Sequence, residues 1–107
     1  NQVIAVLDMG YSLLVYCGFT RAEAVRATGQ LVMRNIENVL EAGCDGALTG
    51  PIERNDIETV KKHIACMQND DSDDARLYKM LGTKLVNIAE KKNPDKDYTQ
   101  MMELLRG

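Results

Sequence analysis

Apolar side chains recur at helical spacing along most of the chain, and nowhere do they alternate with period two for long enough to argue a strand. Residues 2–17 depart from the usual amphipathic pattern: only Gln2, Asp8 and Ser12 are clearly polar in the run QVIAVLDMGYSLLVYC. Gly18 follows where a helix C-terminal glycine belongs. A helix that is hydrophobic on every side has to be buried on every side. A domain of 107 residues can surround one such helix only partly. A second subunit, or another part of a longer protein, is therefore expected to cover the rest.

Beyond it, Thr20 to Glu23 is a T-x-x-E capping box, which starts a second helix at Arg21. Val25, Val32, Ile36 and Val39 give this helix a core stripe, and Gly43 stops it. Gly29, in its middle, costs about 1 kcal/mol relative to alanine and predicts a close approach of another helix. After the connection ALTGPIERND, residues 47–56, Asn55 or Asp56 caps a third helix with Ile57, Val60, Ile64 and Met67 as its stripe. The polar run NDDSDD, residues 69–74, leads into a fourth helix from about Asp73 to Lys91, with Leu77, Leu81, Leu85 and Ile88 inward. Asn93-Pro94 ends it, because proline disfavours helix in the preceding residue. Tyr98, Met101 and Leu105 predict a short terminal helix. The expected fold is all-α, about five helices in a single domain over residues 1–107. The start at Asn1, directly before an apolar segment and without methionine, reads as a cut inside a larger protein.

Composition changes this picture little. Apolar residues make up 45% and charged residues 27%, an ordinary globular balance. The net charge of −3 gives no general attraction for nucleic acid or an anionic membrane, and without tryptophan a base-stacking platform is not expected. Cys17, Cys44 and Cys66 form no C-x-x-C pair, which argues against structural zinc and for small buried or half-buried thiols in a reducing cytoplasm. The first apolar segment contains Asp8 and is too short to span a bilayer comfortably. A calcium loop counted from Asp70 would need glycine at its sixth position and glutamate at its twelfth; Ala75 and Leu81 stand there instead. No metal site is expected.

The connection ALTGPIERND carries more than a helix-to-helix turn requires. Gly50-Pro51 is a turn signal, and the chain then delivers Arg54 just ahead of a helix N-terminus whose N–H groups and dipole favour an anion. A guanidinium there can hold a carboxylate or phosphate at two points, unless Asp56 or Glu53 satisfies those donors internally. Asp56, Thr59 and His63, spaced i, i+3, i+7, line one ridge of the third helix. Either Thr59 and His63 satisfy each other or the backbone at the core edge, or this ridge borders a polar pocket. No G-x-G-x-x-G phosphate loop is present, so the chain alone is expected to bind no nicotinamide cofactor.

The stretch ALTGPIERNDIETVKKHI, residues 47–64, resembles the T-G-P-I-x-R-G-D-x-x-T-V-x-x-H-L signature of a domain of unknown function that follows a Rossmann-like NAD(P)-binding domain in bacterial oxidoreductases. The match lies on Thr49, Gly50, Pro51, Ile52, Arg54, Asp56, Thr59, Val60 and His63. Asn55 replaces the usual glycine, a mild change because asparagine tolerates the left-handed region, and Ile64 replaces leucine. The resemblance implies an all-helical fold like the C-terminal domain of 6-phosphogluconate dehydrogenase, in which the helical domain supplies part of the substrate pocket and much of a dimer interface. It implies NAD or NADP for the full-length protein, held by an upstream Rossmann-like domain, and a homodimer; a cytoplasmic location is expected from the cysteines. Thr49, Arg54, Asp56 and Thr59 would then border the substrate cleft, with Arg54 anchoring a small anionic substrate. Asn1 would hydrogen-bond at the same seam. His63 would transfer a proton, since histidine alone titrates near neutrality unperturbed. The rival expectation is a non-catalytic helical interaction module whose apolar first helix and motif loop serve assembly alone.

Overall fold

The computed structural model describes residues 1–67 and 73–107. Five helices follow one another, α1 (Gln2–Tyr16), α2 (Arg21–Ala47), α3 (Ile57–Met67), α4 (Asp73–Lys92) and α5 (Thr99–Arg106), with no strand among the described residues. The all-α expectation and the helix order hold. The chain divides into two compact units, Asn1–Leu40 and Glu41–Gly107.

In the first unit the helix ends are built as their local chemistry dictates. Gly18 adopts φ 105°, a conformation that residues with a Cβ rarely adopt. Its N–H donates to the Val15 carbonyl at 3.0 Å, and that of Phe19 to the Leu14 carbonyl at 3.1 Å. This pair of bonds closes α1 as a Schellman motif. The capping box then opens α2 reciprocally: the Thr20 N–H donates to Glu23 Oε1, and the Glu23 N–H to Thr20 Oγ1, both at 3.1 Å. Hydrogen bonding from the Thr20 side chain, and secondly from the Thr20 N–H, holds the Glu23 carboxyl below its usual range. Arg21 pairs with Asp8 and lies over the Tyr11 ring, 5.4 Å from its centroid.

Burial in this unit departs from expectation. No residue of α1 is buried, and in α2 only Ala24 is. The predicted stripe of α2 is uncovered: Val25, Ile36 and Val39 are exposed and Val32 is half-buried. Val3 and Ile4 are 61% and 67% exposed, and Leu31 is 62%. Periodicity reports which side chains are apolar, and it cannot report what covers them. A Cβ added at Gly29 would meet nothing within 4 Å, so within the first unit no helix makes the close approach that glycine suggested. Gly43, at φ 76° and ψ 174°, breaks the regular helix as predicted, though a further turn continues to Ala47.

The second unit has a core of its own. Ile52, Val60, Ile64, Val86, Ala89, Tyr98, Met101 and Leu105 form one buried cluster. Helix α3 buries the centre of its predicted stripe, Val60 and Ile64. Helix α5 buries Met101 and Leu105, as expected. Helix α4 is rotated from the expected face: Gly82, Val86 and Ala89 are its buried residues, whereas Leu77, Leu81, Leu85 and Ile88 are half-buried. Gly82 explains the rotation. A Cβ there would stand 2.7 Å from Leu105 Cδ2 and 3.4 Å from Ile52 Cδ1, so the missing side chain lets α5 and the 50–56 turn close onto α4. The helix ends at Lys92, just ahead of Asn93-Pro94. Most of the acidic run at 69–74, including the Asp70 start of the tested calcium loop, lies outside the described residues.

The cysteines also differ from expectation. Cys17, Cys44 and Cys66 are all exposed, with free thiols, because none lies on a face that either unit covers.

Candidate functional site

The connection at 47–56 folds into a compact turn. Gly50 has φ 99°, and Pro51 follows at the first position of a single helical turn, where its missing N–H costs nothing. The Arg54 N–H donates to the Gly50 carbonyl at 3.0 Å, the Asn55 N–H to Ile52 at 3.0 Å and the Asp56 N–H to Pro51 at 2.8 Å. Asn55, at φ 61°, is the left-handed residue that ends this turn, the geometry that asparagine tolerates best after glycine. Its Nδ2 donates to the Asp97 carbonyl at 2.9 Å. Its buried Oδ1 has no partner.

The turn is pinned from behind. Ile52 enters the core. The Tyr98 hydroxyl, inside the cluster, donates to the Glu53 carbonyl at 2.6 Å, and Asn93 Nδ2 reaches both Glu53 Oε1 and the Tyr98 oxygen at 3.1 Å. Lys92 Nζ donates to the Leu48 carbonyl at 2.6 Å and lies 3.8 Å from Glu53 Oε1. These braces escaped sequence reasoning because they link positions about forty apart; the local signal was Tyr98, a buried tyrosine whose hydroxyl must find a partner.

With its back fixed, the turn presents Arg54 outward, its side chain 58% exposed, with Nη2 3.9 Å from Asp56 Oδ2. Asp56 caps α3: its Oδ1 accepts the Thr59 N–H at 3.1 Å and its Oδ2 the Thr59 hydroxyl at 2.7 Å. The two bonds from Thr59, with smaller help from Arg54 and Lys62, hold the Asp56 carboxyl below its usual range. The internal reading of the helix terminus is thus realised by Asp56, while Glu53 turns away to Asn93 and Lys92. Thr59 is engaged with Asp56 and not with His63.

His63, one turn further along α3 and exposed, faces α4 instead. Its Nδ1 lies 3.0 Å from the Tyr78 oxygen, with the rings edge to face at 79° and 6.1 Å between centroids. Tyr78 is half-buried against the core cluster. Arg54, Asp56 and Thr59 therefore form one linked chain, with His63 beyond it on α3 and Tyr78 meeting His63 from α4. Thr49 is exposed at the start of the connection. Asn1 belongs to the other unit, where it precedes α1 without a side-chain cap bond and its carbonyl accepts from Ala5 at 3.2 Å. A separate open groove of about 630 Å³, lined by Glu90, Lys96, Tyr98, Met102 and Arg106 among others, contains none of the predicted site residues. Among the described residues no cluster of three or more histidine, cysteine, aspartate or glutamate side chains is arranged to hold a metal ion. No helix among them is long and apolar enough to cross a membrane.

The family model described as Domain of unknown function (DUF2520) matches residues 1–85. The match spans both units and includes the whole of the 47–64 signature. No curated protein and no solved structure matches the chain. The chain belongs to this family of domains of unknown function.

Proposed function

As a member of that family, the chain is, we propose, the helical C-terminal domain of an NAD(P)-dependent oxidoreductase, forming a substrate wall and a subunit interface. The observation that carries the reading is the 50–56 turn: Ile52 and the Tyr98 brace fix it from behind, Asp56 is spent on the helix cap, and Arg54 is left facing solvent from it. A rigid turn that exposes a guanidinium suits recognition of a small anionic substrate, since little ordering is lost when the ion arrives. His63, on the same helix, is the group in reach of a proton-transfer role. Thr49, at the start of the same connection, is proposed as a further polar contact for the substrate. The nicotinamide cofactor, NAD or NADP, would be held by an upstream Rossmann-like domain, because this chain encodes no phosphate cradle.

The uncovered helices of the first unit support the interface part of the reading. Twelve large apolar side chains between Val3 and Leu40 are exposed. Interfaces between obligate subunits resemble a core cut in half and bury about 2,000 Å² or more. We assign this surface to a second copy of the chain. The same observation favours the rival reading, a non-catalytic assembly module, which differs in giving Arg54 and His63 no chemistry.

Substitution separates the two. In the full-length protein, Arg54→Ala should weaken substrate binding about tenfold to a hundredfold, the cost of one charge-assisted hydrogen bond of about 1.5–3 kcal/mol. His63→Ala should lower turnover. Both should leave the melting temperature nearly unchanged, as exposed positions do. A large fall in melting temperature with unchanged kinetics per folded molecule would make Arg54 a brace and return the reading to the assembly module.

A further inference from the structure

His63 is the only histidine in the chain, and a neutral imidazole carries one N–H and one acceptor nitrogen, so its chemistry depends on which nitrogen is protonated. Its sole partner among the described residues is the Tyr78 hydroxyl, 3.0 Å from Nδ1. Two arrangements fit that distance. Either the phenol donates to Nδ1, or Nδ1–H donates to the phenol oxygen.

We infer that Tyr78 is the positioning residue of His63: its hydroxyl donates to Nδ1, so the neutral ring carries its proton on Nε2 and offers that N–H to an oxygen of the substrate. Chemistry and geometry converge on this assignment. An imidazole nitrogen is a strong acceptor, whereas a phenol oxygen shares its lone pairs with the ring and accepts weakly. The phenol is therefore the better donor of the two. Tyr78 is anchored, its ring half-buried against the core cluster beside α3, so the hydroxyl stays where the imidazole meets it. The edge-to-face geometry at 79° further limits rotation of the imidazole about its bond to Cβ. Burial also raises the Tyr78 hydroxyl above its ordinary value, which keeps it an O–H donor throughout the neutral range. Nε2, on the exposed imidazole, has no partner among the described residues and remains for an incoming carbonyl, carboxylate or hydroxyl oxygen.

The direction of Nε2–H toward a substrate rests on the oxidoreductase reading, whereas the tautomer does not. Nitrogen-15 spectra of the labelled chain, at a pH where the single imidazole is neutral, read the tautomer directly. The expected result is an acceptor-type Nδ1 and a protonated Nε2. Tyr78→Phe, which keeps the ring and its packing, should shift the tautomer ratio toward Nδ1–H by about twofold to tenfold, the worth of one net hydrogen bond, with little change in the thermal melt. A protonated Nδ1 in the unmodified chain, or a ratio that Tyr78→Phe leaves unchanged, would overturn the inference while leaving the role of Arg54 intact. A shifted ratio beside a His63→Ala enzyme of full activity would instead overturn the delivery of Nε2–H to a substrate, and with it the catalytic part of the oxidoreductase reading.

Discussion

Residues 1–40 and 41–107 put their apolar side chains to different ends. In the second region α3, α4 and α5 turn their apolar faces toward one another, and Val60, Val86 and Met101 are completely buried. In the first, α1 and α2 are well-formed helices with well-made ends, and yet Ala24 is the single buried side chain. Of the thirteen large apolar residues exposed among the described residues, twelve lie at or before Leu40. A helix gains most of its stability from packing an apolar face, not from propensity. The second region therefore contains its own stabilisation, while the first leaves its apolar side chains uncovered. The same contrast separates candidate chemistry from candidate assembly: Arg54, Asp56, Thr59, His63 and Tyr78 all stand on the self-supporting region.

Matched truncations should break this comparison most forcefully if it is wrong. Met101→Ala removes a fully buried side chain and should destabilise the protein by about 2–5 kcal/mol. Leu31→Ala, at an exposed site, should cost within about 0.5 kcal/mol when the chain is dilute and unassociated. Urea unfolding of the two variants reads the difference. Equal losses in dilute solution would mean that the first region has an internal core after all.

The helix ends were legible in the sequence because caps are local. Thr20, Glu23, Gly18, Gly43 and Asp56 act within a few residues of themselves, and each does what its chemistry required. The face of α4 was not legible. Its buried line of Gly82, Val86 and Ala89 is dictated by the approach of Leu105 from α5, and a glycine adds nothing to a hydrophobic pattern. The exposure of Val25, Ile36 and Val39 was equally out of reach, since a stripe is the same stripe whether a neighbouring helix or a partner covers it. Within the site, Asp56 as the cap of α3 could be read from the sequence, whereas the bond from the Thr59 hydroxyl to Asp56 could not, since Thr59 was expected to meet His63 or the backbone. The contact of His63 with Tyr78 could not, because it joins two helices whose relative rotation the pattern leaves open.

A smaller effect sharpens the description of the second region. The folded Asp56 carboxyl is held below its ordinary value by its bonds from Thr59, so the unfolded chain binds that proton more readily than the folded one. Its contribution to stability is therefore fully present above about pH 4, the ordinary aspartate value, and is lost as pH falls through the lower folded value. Asp56→Asn, which can still accept one hydrogen bond at the cap, should lower the melting temperature modestly at neutral pH and flatten this acid dependence. Melts from pH 7 down to pH 3 check it. An unchanged acid slope would mean that the cap is not the group being titrated.

The central claim, that the first forty residues form a surface for a second copy, is tested most directly by sedimentation equilibrium of the chain at micromolar concentration. The account predicts a dimer, and it predicts that Ile4→Glu, at a position 67% exposed within one copy, dissociates that dimer while the α3–α5 helices keep their signal in circular dichroism. A stable monomer in the unmodified chain, at the same concentration, would contradict it.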